Sequence, residues 1–304
     1  VAYYSIKELE HLSGIKAHTL RIWEQRYNLL QPKRTDTNIR YYDDADLKNL
    51  LNVALLYQEG YKISKIAQLP PTEIAQEVMK LTDTDLGQEQ FINQLIVAMV
   101  ELDEVLFERV LHRAILQLGF PVSVRQVVYP FLYKIGMLWQ TANITPAHEH
   151  FMSQLIRQKM LVAIDGLPIP SGKKSPRVIL FLPEGELHEL SLLFAHYLLR
   201  SAGFSTLYLG QHLPLADLVR AAQQYQPAYL FSVLTTPVLK VSVLEYLKQL
   251  SEEVSAQEVL VCGAQLNSYA QEDMPAKVVL SKSLDALELW IQKVSEAKIE
   301  AELL

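Results

Sequence analysis

Five apolar runs of strand length, RVILFL (177–182), STLYLG (205–210), YLFSVL (229–234), EVLVCG (258–263) and KVVLS (277–281), alternate with amphipathic helical stretches in the C-terminal part of the chain. Nearly continuous apolar strands separated by helices predict a parallel sheet covered on both faces, because a parallel neighbour can be reached only through a crossover connection. The expected fold of 177–304 is a doubly wound α/β domain, in which ligands bind beyond the carboxyl ends of the strands. The preceding PIPSGKKSP (168–176) mixes prolines, a glycine and charges without periodicity and reads as a linker.

The rest of the chain has a different rhythm. From 72 to 167 apolar residues recur three and four apart, as in Phe91, Leu95, Ala98 and Leu102, in Phe151 and Leu155, and in Met152, Ile156 and Met160. This period predicts a bundle of four main helices. Within it lies WQTANITPAHEH (139–150). Thr145 can cap and Pro146 can start a helix, so Trp139 ends one helix while Glu149 and His150 begin the next. The three are expected to converge on one cavity.

Pro70-Pro71 marks the other boundary and separates a segment 1–71 of short helices and turns. A length of 304 residues accommodates three such domains. No apolar run approaches the roughly 18 residues that span a bilayer, and VAYYSIKELE lacks the layout of a signal peptide. A soluble, cytoplasmic protein is expected. The single cysteine, Cys262, excludes an intrachain disulfide and reads as a small buried side chain near a strand end.

The net charge of −6 hides an asymmetry. Residues 1–69 carry ten Lys and Arg against eight Asp and Glu, leaving 18 against 26 for the remainder. Only the first segment tolerates a phosphate backbone. There, SIKELEHLSGIKAHTLRIWEQRYNLL has a helix-turn-helix pattern: Ser5 caps a helix with Ile6, Leu9 and Leu12 inward, Ser13-Gly14 turns, and a second helix runs from about Lys16 to Tyr27 with Leu20 and Trp23 inward. Lys16, His18, Thr19 and Arg21 are left on the outer face near the second helix's start, where a recognition helix presents its base-reading groups. QPKRTDTNIRYY follows, and its Lys33, Arg34, Arg40, Tyr41 and Tyr42 form a β-wing whose cations and phenol hydroxyls can hold phosphates.

Thr19 to Glu24 (TLRIWE), Leu29-Leu30, Pro32, Arg34-Thr35 and Arg40-Tyr41-Tyr42 resemble the MerR family of winged-helix transcription regulators along nearly the whole segment. The resemblance implies dimers on paired half-sites of promoter DNA. The family's usual aromatic pair is Ile22-Trp23 here, so the first aromatic is absent.

In the α/β domain, Glu186 and His188 occupy the loop after the first strand, at the ligand-binding edge. A neutral imidazole there offers one nitrogen to a metal, while a carboxylate on the other nitrogen sets its tautomer and raises its basicity. By itself Glu-x-His says little, and no further ligands at zinc spacing accompany it. However, Glu186-x-His188-x-x-Ser191, Ser232-Val233-Leu234 and Gly263-Ala264 resemble the Rossmann-like cobalamin-binding fold and its Asp-x-His-x-x-Gly, Ser-x-Leu and Gly-Gly motifs. This implies His188 as lower axial ligand of cobalt, Glu186 as its hydrogen-bond partner, Ser232 and Leu234 lining the nucleotide-tail pocket, and Gly263 allowing close backbone approach. Trp139, nine residues, then Glu149-His150, with Pro130, Gly136 and Phe151, resemble the cobalamin-capping bundle of the CarH/LitR-like light-dependent repressors of the MerR family. In those receptors a histidine follows the tryptophan; here it is Gln140.

The reading is a one-component DNA-binding transcription regulator, a repressor, and no enzyme, because no segment supplies a substrate domain or a radical-generating barrel. It has a winged helix-turn-helix (1–71), a four-helix cobalamin-capping bundle (72–167) and a cobalamin-binding domain (177–304). The implied cofactor is adenosylcobalamin, the implied switch is light, and the implied assembly is a homo-oligomer, dimer or tetramer. The departures at Ser191, Ala264 and Gln140 keep open an alternative, a regulator with a degenerate cofactor site that answers to protein partners or another ligand.

Overall fold

A computed structural model describes residues 3–35, 37–80, 87–140, 144–170 and 175–303, apart from the side chains of 79–80, 137–140 and 297–303. The chain divides into two compact units, 1–155 and 156–304.

In the first unit, Ser5 and Glu8 form a capping box that starts α1 (Ile6–Ser13), and Gly14, in left-handed conformation, ends it. α2 (Ala17–Tyr27) follows at once. Leu9, Leu12, Leu20 and Trp23 are buried, as their spacing predicts. The two-residue strands β1 (Lys33–Arg34) and β2 (Arg40–Tyr41) pair antiparallel, and Tyr4 bridges to Tyr42 alongside them. A second capping box, Asp43 with Asp46, starts α3 (Asp44–Gln58). The short α4 (Ile63–Ile66) precedes α5 (Pro71–Lys80), which begins on the second proline of the expected boundary.

α6 (Gln88–Val100) is buried on nearly all sides and forms the axis of the unit. Leu102 departs from the expected helical stripe: it adopts a left-handed φ of 53° in the turn after α6 and is 48% exposed. The stripe ends where the helix ends, so a period carried two residues too far misplaces it. Next come α7 (Glu104–Leu118) and a long helix made of α8 (Phe120–Ser123), a π-helical turn (Val124–Val128) and α9 (Tyr129–Gln140). α10 (Pro146–Asp165) completes the four main helices, and its stretch from Ile156 onward belongs to the second unit.

The second unit is built on a parallel sheet of β3 (Arg177–Pro183), β4 (Ser205–Leu213), β5 (Tyr229–Val233), β6 (Glu258–Cys262) and β7 (Val278–Leu280) in the order β4-β3-β5-β6-β7. Crossovers are α11 (Leu190–Ser201), α12 (Leu215–Tyr225) and α13 (Val243–Glu253). α14 (Leu284–Leu303) closes the domain through buried Leu287 and Ile291, and its Trp290 donates to Glu258 at 2.7 Å. The chain reverses its winding direction between β3 and β5, so the crevice for a ligand opens beyond their carboxyl ends. Among the described residues, no helix is long and apolar enough to cross a membrane.

Candidate DNA-binding face and switch-point site

On α2, Lys16, His18 and Arg21 are exposed and Thr19 is half-buried, while Leu20 and Trp23 face inward. The turn before α2 is tied from α1: Glu10 accepts from the Ala17 backbone at 3.1 Å and pairs with Lys16 at 3.1 Å. Hydrogen bonding by Lys16 is the main reason the Glu10 carboxyl titrates below its usual range. Ile22, standing where the family carries an aromatic, is 48% exposed on the same helix.

In the wing, Arg34 reaches Asn38 Oδ1 at 2.6 Å, Arg40 lies 3.6 Å from Glu24, and Tyr41 packs edge-on against Tyr3. Lys33 pairs with Asp43 and Asp46, so its charge is drawn to the start of α3. Tyr42 corrects the expectation of phosphate-gripping phenols. It is 1% exposed, and its hydroxyl donates to Glu24 at 2.9 Å. Burial, then the Glu24 hydrogen bond, raises its pKa above the tyrosine range. Tyr42 is a core residue, and the available phenol of this pair is Tyr41.

Trp139 and Gln140 lie in the last turn of α9, but their side chains fall outside the described residues. Glu149 and His150 sit in the first turn of α10 and pair with each other at 2.9 Å, His150 being the more exposed. Thr145 caps this helix: its carbonyl accepts from His148 N at 3.0 Å, and its hydroxyl lies 2.9 Å from His148 Nδ1.

The geometry is tightest at the switch point of the sheet. Glu186 is fully buried, and its carboxylate accepts six hydrogen bonds. Oε1 takes Leu187 N at 3.0 Å, His188 N at 3.1 Å and His188 Nδ1 at 2.7 Å. Oε2 takes Thr235 N and Thr236 N, each at 2.7 Å, and the Thr236 hydroxyl at 3.0 Å. Burial alone would raise its pKa, but the bonds from Thr236, His188 and Thr235 outweigh burial and hold the carboxyl at about 2 against an ordinary 4.5. The glutamate therefore spans the mouth of the sheet, from the loop after β3 to the turn after β5. With Nδ1 donating to the carboxylate, the Nε2 lone pair of His188 is left for a hydrogen-bond donor or a metal, and its side chain is 59% exposed.

The other side of the loop is held by the end of β4. Two register shifts against β3 bulge this strand. The bulge brings His212, with a left-handed φ of 55°, to accept from Gly185 N at 2.9 Å. His212 N also reaches Glu186 O at 3.3 Å. Thr235, Thr236 and His212 all escape sequence reasoning; only the Thr-Thr-Pro turn directly after Ser-x-Leu hinted at a loop there.

Ser232 is 1% exposed in β5, and its Oγ finds no partner among the described residues; the Tyr246 hydroxyl on α13 is in the same state. A buried hydroxyl left unsatisfied costs about 1–3 kcal/mol, which a bound polar ligand would recover. Leu234 is 2% exposed and belongs to the core between the sheet and α12 and α13. Gly263 has a φ of +116°, and a Cβ there would lie 2.4 Å from Leu234 O, so its close backbone approach is to Leu234. Ala264, by contrast, is exposed and opens a 3-10 turn, where a methyl group is accommodated. Cys262, the last residue of β6, is partly buried. Among the described residues no cluster of three or more His, Cys, Asp or Glu is arranged to hold a metal, so His188 is a single donor.

Residues 4–72 match the MerR HTH family regulatory protein, and residues 91–163 match the B12 binding domain. The chain is 31% identical to the HTH-type transcriptional repressor CarA of Myxococcus xanthus over 225 residues, 73% of either chain. It is 29% identical to the HTH-type transcriptional repressor CarH of the same organism over 232 residues, 74% of this chain and 77% of that one. The solved structure of the Methanosarcina barkeri monomethylamine corrinoid protein superposes with a TM-score of 0.56 at 14% identity, covering 68% of this chain and all of that chain. That last likeness is one of fold.

Proposed function

The chain belongs to the family of MerR-type HTH transcriptional repressors that includes CarA and CarH, and from this premise we propose that it represses transcription under the control of a cobalamin held at His188. The observation that carries the reading is the Glu186–His188 pair, with Nδ1 bound at 2.7 Å by a buried carboxylate and the ring exposed beyond the strand ends. A carboxylate on the far ring nitrogen is the usual partner of a metal-ligating imidazole, setting its tautomer and raising its basicity. The residues fit the cofactor: the oriented His188 imidazole would be the donor to cobalt, and the orphaned Ser232 hydroxyl would offer a partner for the nucleotide tail. Gly263 and Leu234 lie against each other at the ends of β6 and β5, where a Cβ on Gly263 would meet the Leu234 backbone.

By the resemblance of their spacing, Trp139, Glu149 and His150 are assigned to the cofactor as well. An indole would supply an apolar cover to such a cofactor, and a carboxylate would accept from its ribose hydroxyls. Adenosylcobalamin, the form proposed, would supply a photolabile cobalt–carbon bond. A cofactor shifts an equilibrium only through contacts that differ between two states, and these residues would supply such contacts. The controlled assembly is a homo-oligomer, dimer or tetramer. Size-exclusion chromatography of protein incubated with adenosylcobalamin in the dark is expected to show a smaller species after illumination. Identical elution before and after light removes light from the account.

For DNA we assign Lys16, His18, Thr19 and Arg21 to the major groove and Arg34, Arg40 and Tyr41 to the phosphates. Arg21, exposed on α2, is the base reader, and a good bidentate contact gives about 1–3 kcal/mol of discrimination. Arg21→Ala should lose that preference in gel-shift titrations against a scrambled site while retaining salt-dependent non-specific binding. Retained operator preference removes Arg21 from the contact set.

A further inference from the structure

His188 is anchored on both sides. Glu186, two residues before it, is tied to the turn after β5. Glu189, the residue after it, has a different set of partners: its side chain is 10% exposed, Oε1 accepts from Arg157 Nε, and Oε2 accepts from the Tyr208 hydroxyl at 3.0 Å. Tyr208 in β4 is stacked on His196 of α11 with ring centroids 5.0 Å apart, and His196 is fixed in turn by Thr206 at 2.9 Å. Arg157 belongs to α10, the helix that begins with the Glu149-His150 pair.

A nearly buried carboxylate needs a counter-charge, and here α10 provides it. There is a second tie: Arg200, near the end of α11, donates to Leu167 O just past the end of α10 at 3.2 Å. At 1.5 Å per residue, about 15 Å of chain separates Arg157 from Leu167 and about 16 Å separates Glu189 from Arg200. The C-terminal half of α10 is thus tied to the start of α11 through Arg157 and Glu189 and to its end through Arg200 and Leu167 O.

We propose that Glu189 is a positioning residue: with Arg157 and Tyr208 it latches the His188 loop to the stretch of α10 from Ile156 onward, so that the loop carrying the cobalt ligand and this stretch move together. The proposal rests on the assignment of His188 as cobalt ligand. Sheet-side anchoring through Glu186 sets which ring nitrogen is free; α10-side anchoring through Glu189 sets where that nitrogen lies relative to α10.

The test uses the full chain and the variants Arg157→Ala, Arg157→Lys, Tyr208→Phe and His188→Ala. In cofactor-free protein, hydrogen exchange followed by mass spectrometry should be roughly tenfold faster in both 184–190 and 156–165 for Arg157→Ala. Arg157→Lys, which keeps the charge, should restore part of the protection, and Tyr208→Phe should give a smaller change of the same kind. With cobalamin added in the dark, Arg157→Ala should lower the histidine-ligated fraction in the visible spectrum, with about tenfold weaker affinity. His188→Ala should show no histidine-ligated spectrum. Unchanged exchange at 184–190 in Arg157→Ala overturns the latch. Faster exchange with an unchanged spectrum also overturns the proposal, because the contact is then structural only. If wild type binds no cobalamin, the cofactor assignment fails, and the exchange data still decide whether the loop and α10 are coupled.

Discussion

Glu186→Gln is expected to remove about 3 kcal/mol of folding stability at neutral pH, since each unit of pKa shift is worth about 1.4 kcal/mol. The carboxyl titrates at about 2 in the folded protein against an ordinary 4.5. A depressed pKa contributes stability that is fully present above the unfolded value and is lost as pH falls through the window from 4.5 to about 2. The sign follows because the unfolded chain binds the proton first, so acid favours unfolding. Glutamine is nearly isosteric but carries no charge, and its amide turns a donor toward the backbone N–H groups of Thr235 and Thr236 or of Leu187 and His188. Denaturant unfolding of wild type and variant at pH 7 and in the acid window reads the effect. The difference should be largest at neutral pH and shrink as wild type protonates. Equal stability at pH 7 contradicts the account of this carboxylate.

The second large effect is expected at Gly263. Its φ of +116° is one that side chains rarely adopt, and an added Cβ would lie 2.4, 2.7 and 2.8 Å from Leu234 O, C and N. Leu234 cannot retreat, because its N–H donates to Cys262 O at 2.8 Å and its carbonyl accepts from Gln265 N at 3.0 Å. Backbone strain and overpacking together predict a loss of about 3–5 kcal/mol for Gly263→Ala. The neighbouring Ala264→Gly, at an exposed position in the 3-10 turn, should cost about 1 kcal/mol or less. Thermal unfolding of both variants side by side is the measurement. Equal midpoints for the two would show that the strand ends are not packed as described.

Much of this was legible in the chain because period carries burial. Five apolar runs announced a parallel sheet, and observed strands begin within one residue of those runs. Ser5 and Gly14 bracket α1 through local capping, which is a short-range property and so readable from spacing. Glu186 and His188 were legible as residue types in a loop at the carboxyl edge. What holds them was not. Thr235 and Thr236 act largely through backbone N–H groups, which every residue but proline owns, so no side-chain pattern marks them. Glu186, which stands where the family carries an aspartate, bonds to both the loop after β3 and the turn after β5. Arg157 and Glu189 lie 32 positions apart, and their pairing depends on how α10 lies along α11. Tyr41 and Tyr42 are adjacent aromatics with opposite fates, one half-exposed and one in the core, because successive residues of a strand face opposite sides.

Electron paramagnetic resonance of the protein carrying Co(II) cobalamin, with its histidines labelled with nitrogen-15, tests the central claim most directly. If the His188 imidazole ligates cobalt, each superhyperfine triplet from nitrogen-14 becomes a doublet on labelling, and the nitrogen coupling disappears altogether in His188→Ala. A triplet that persists in labelled protein would mean that the cofactor keeps its own base, and the assignment of His188 as cobalt ligand would be wrong.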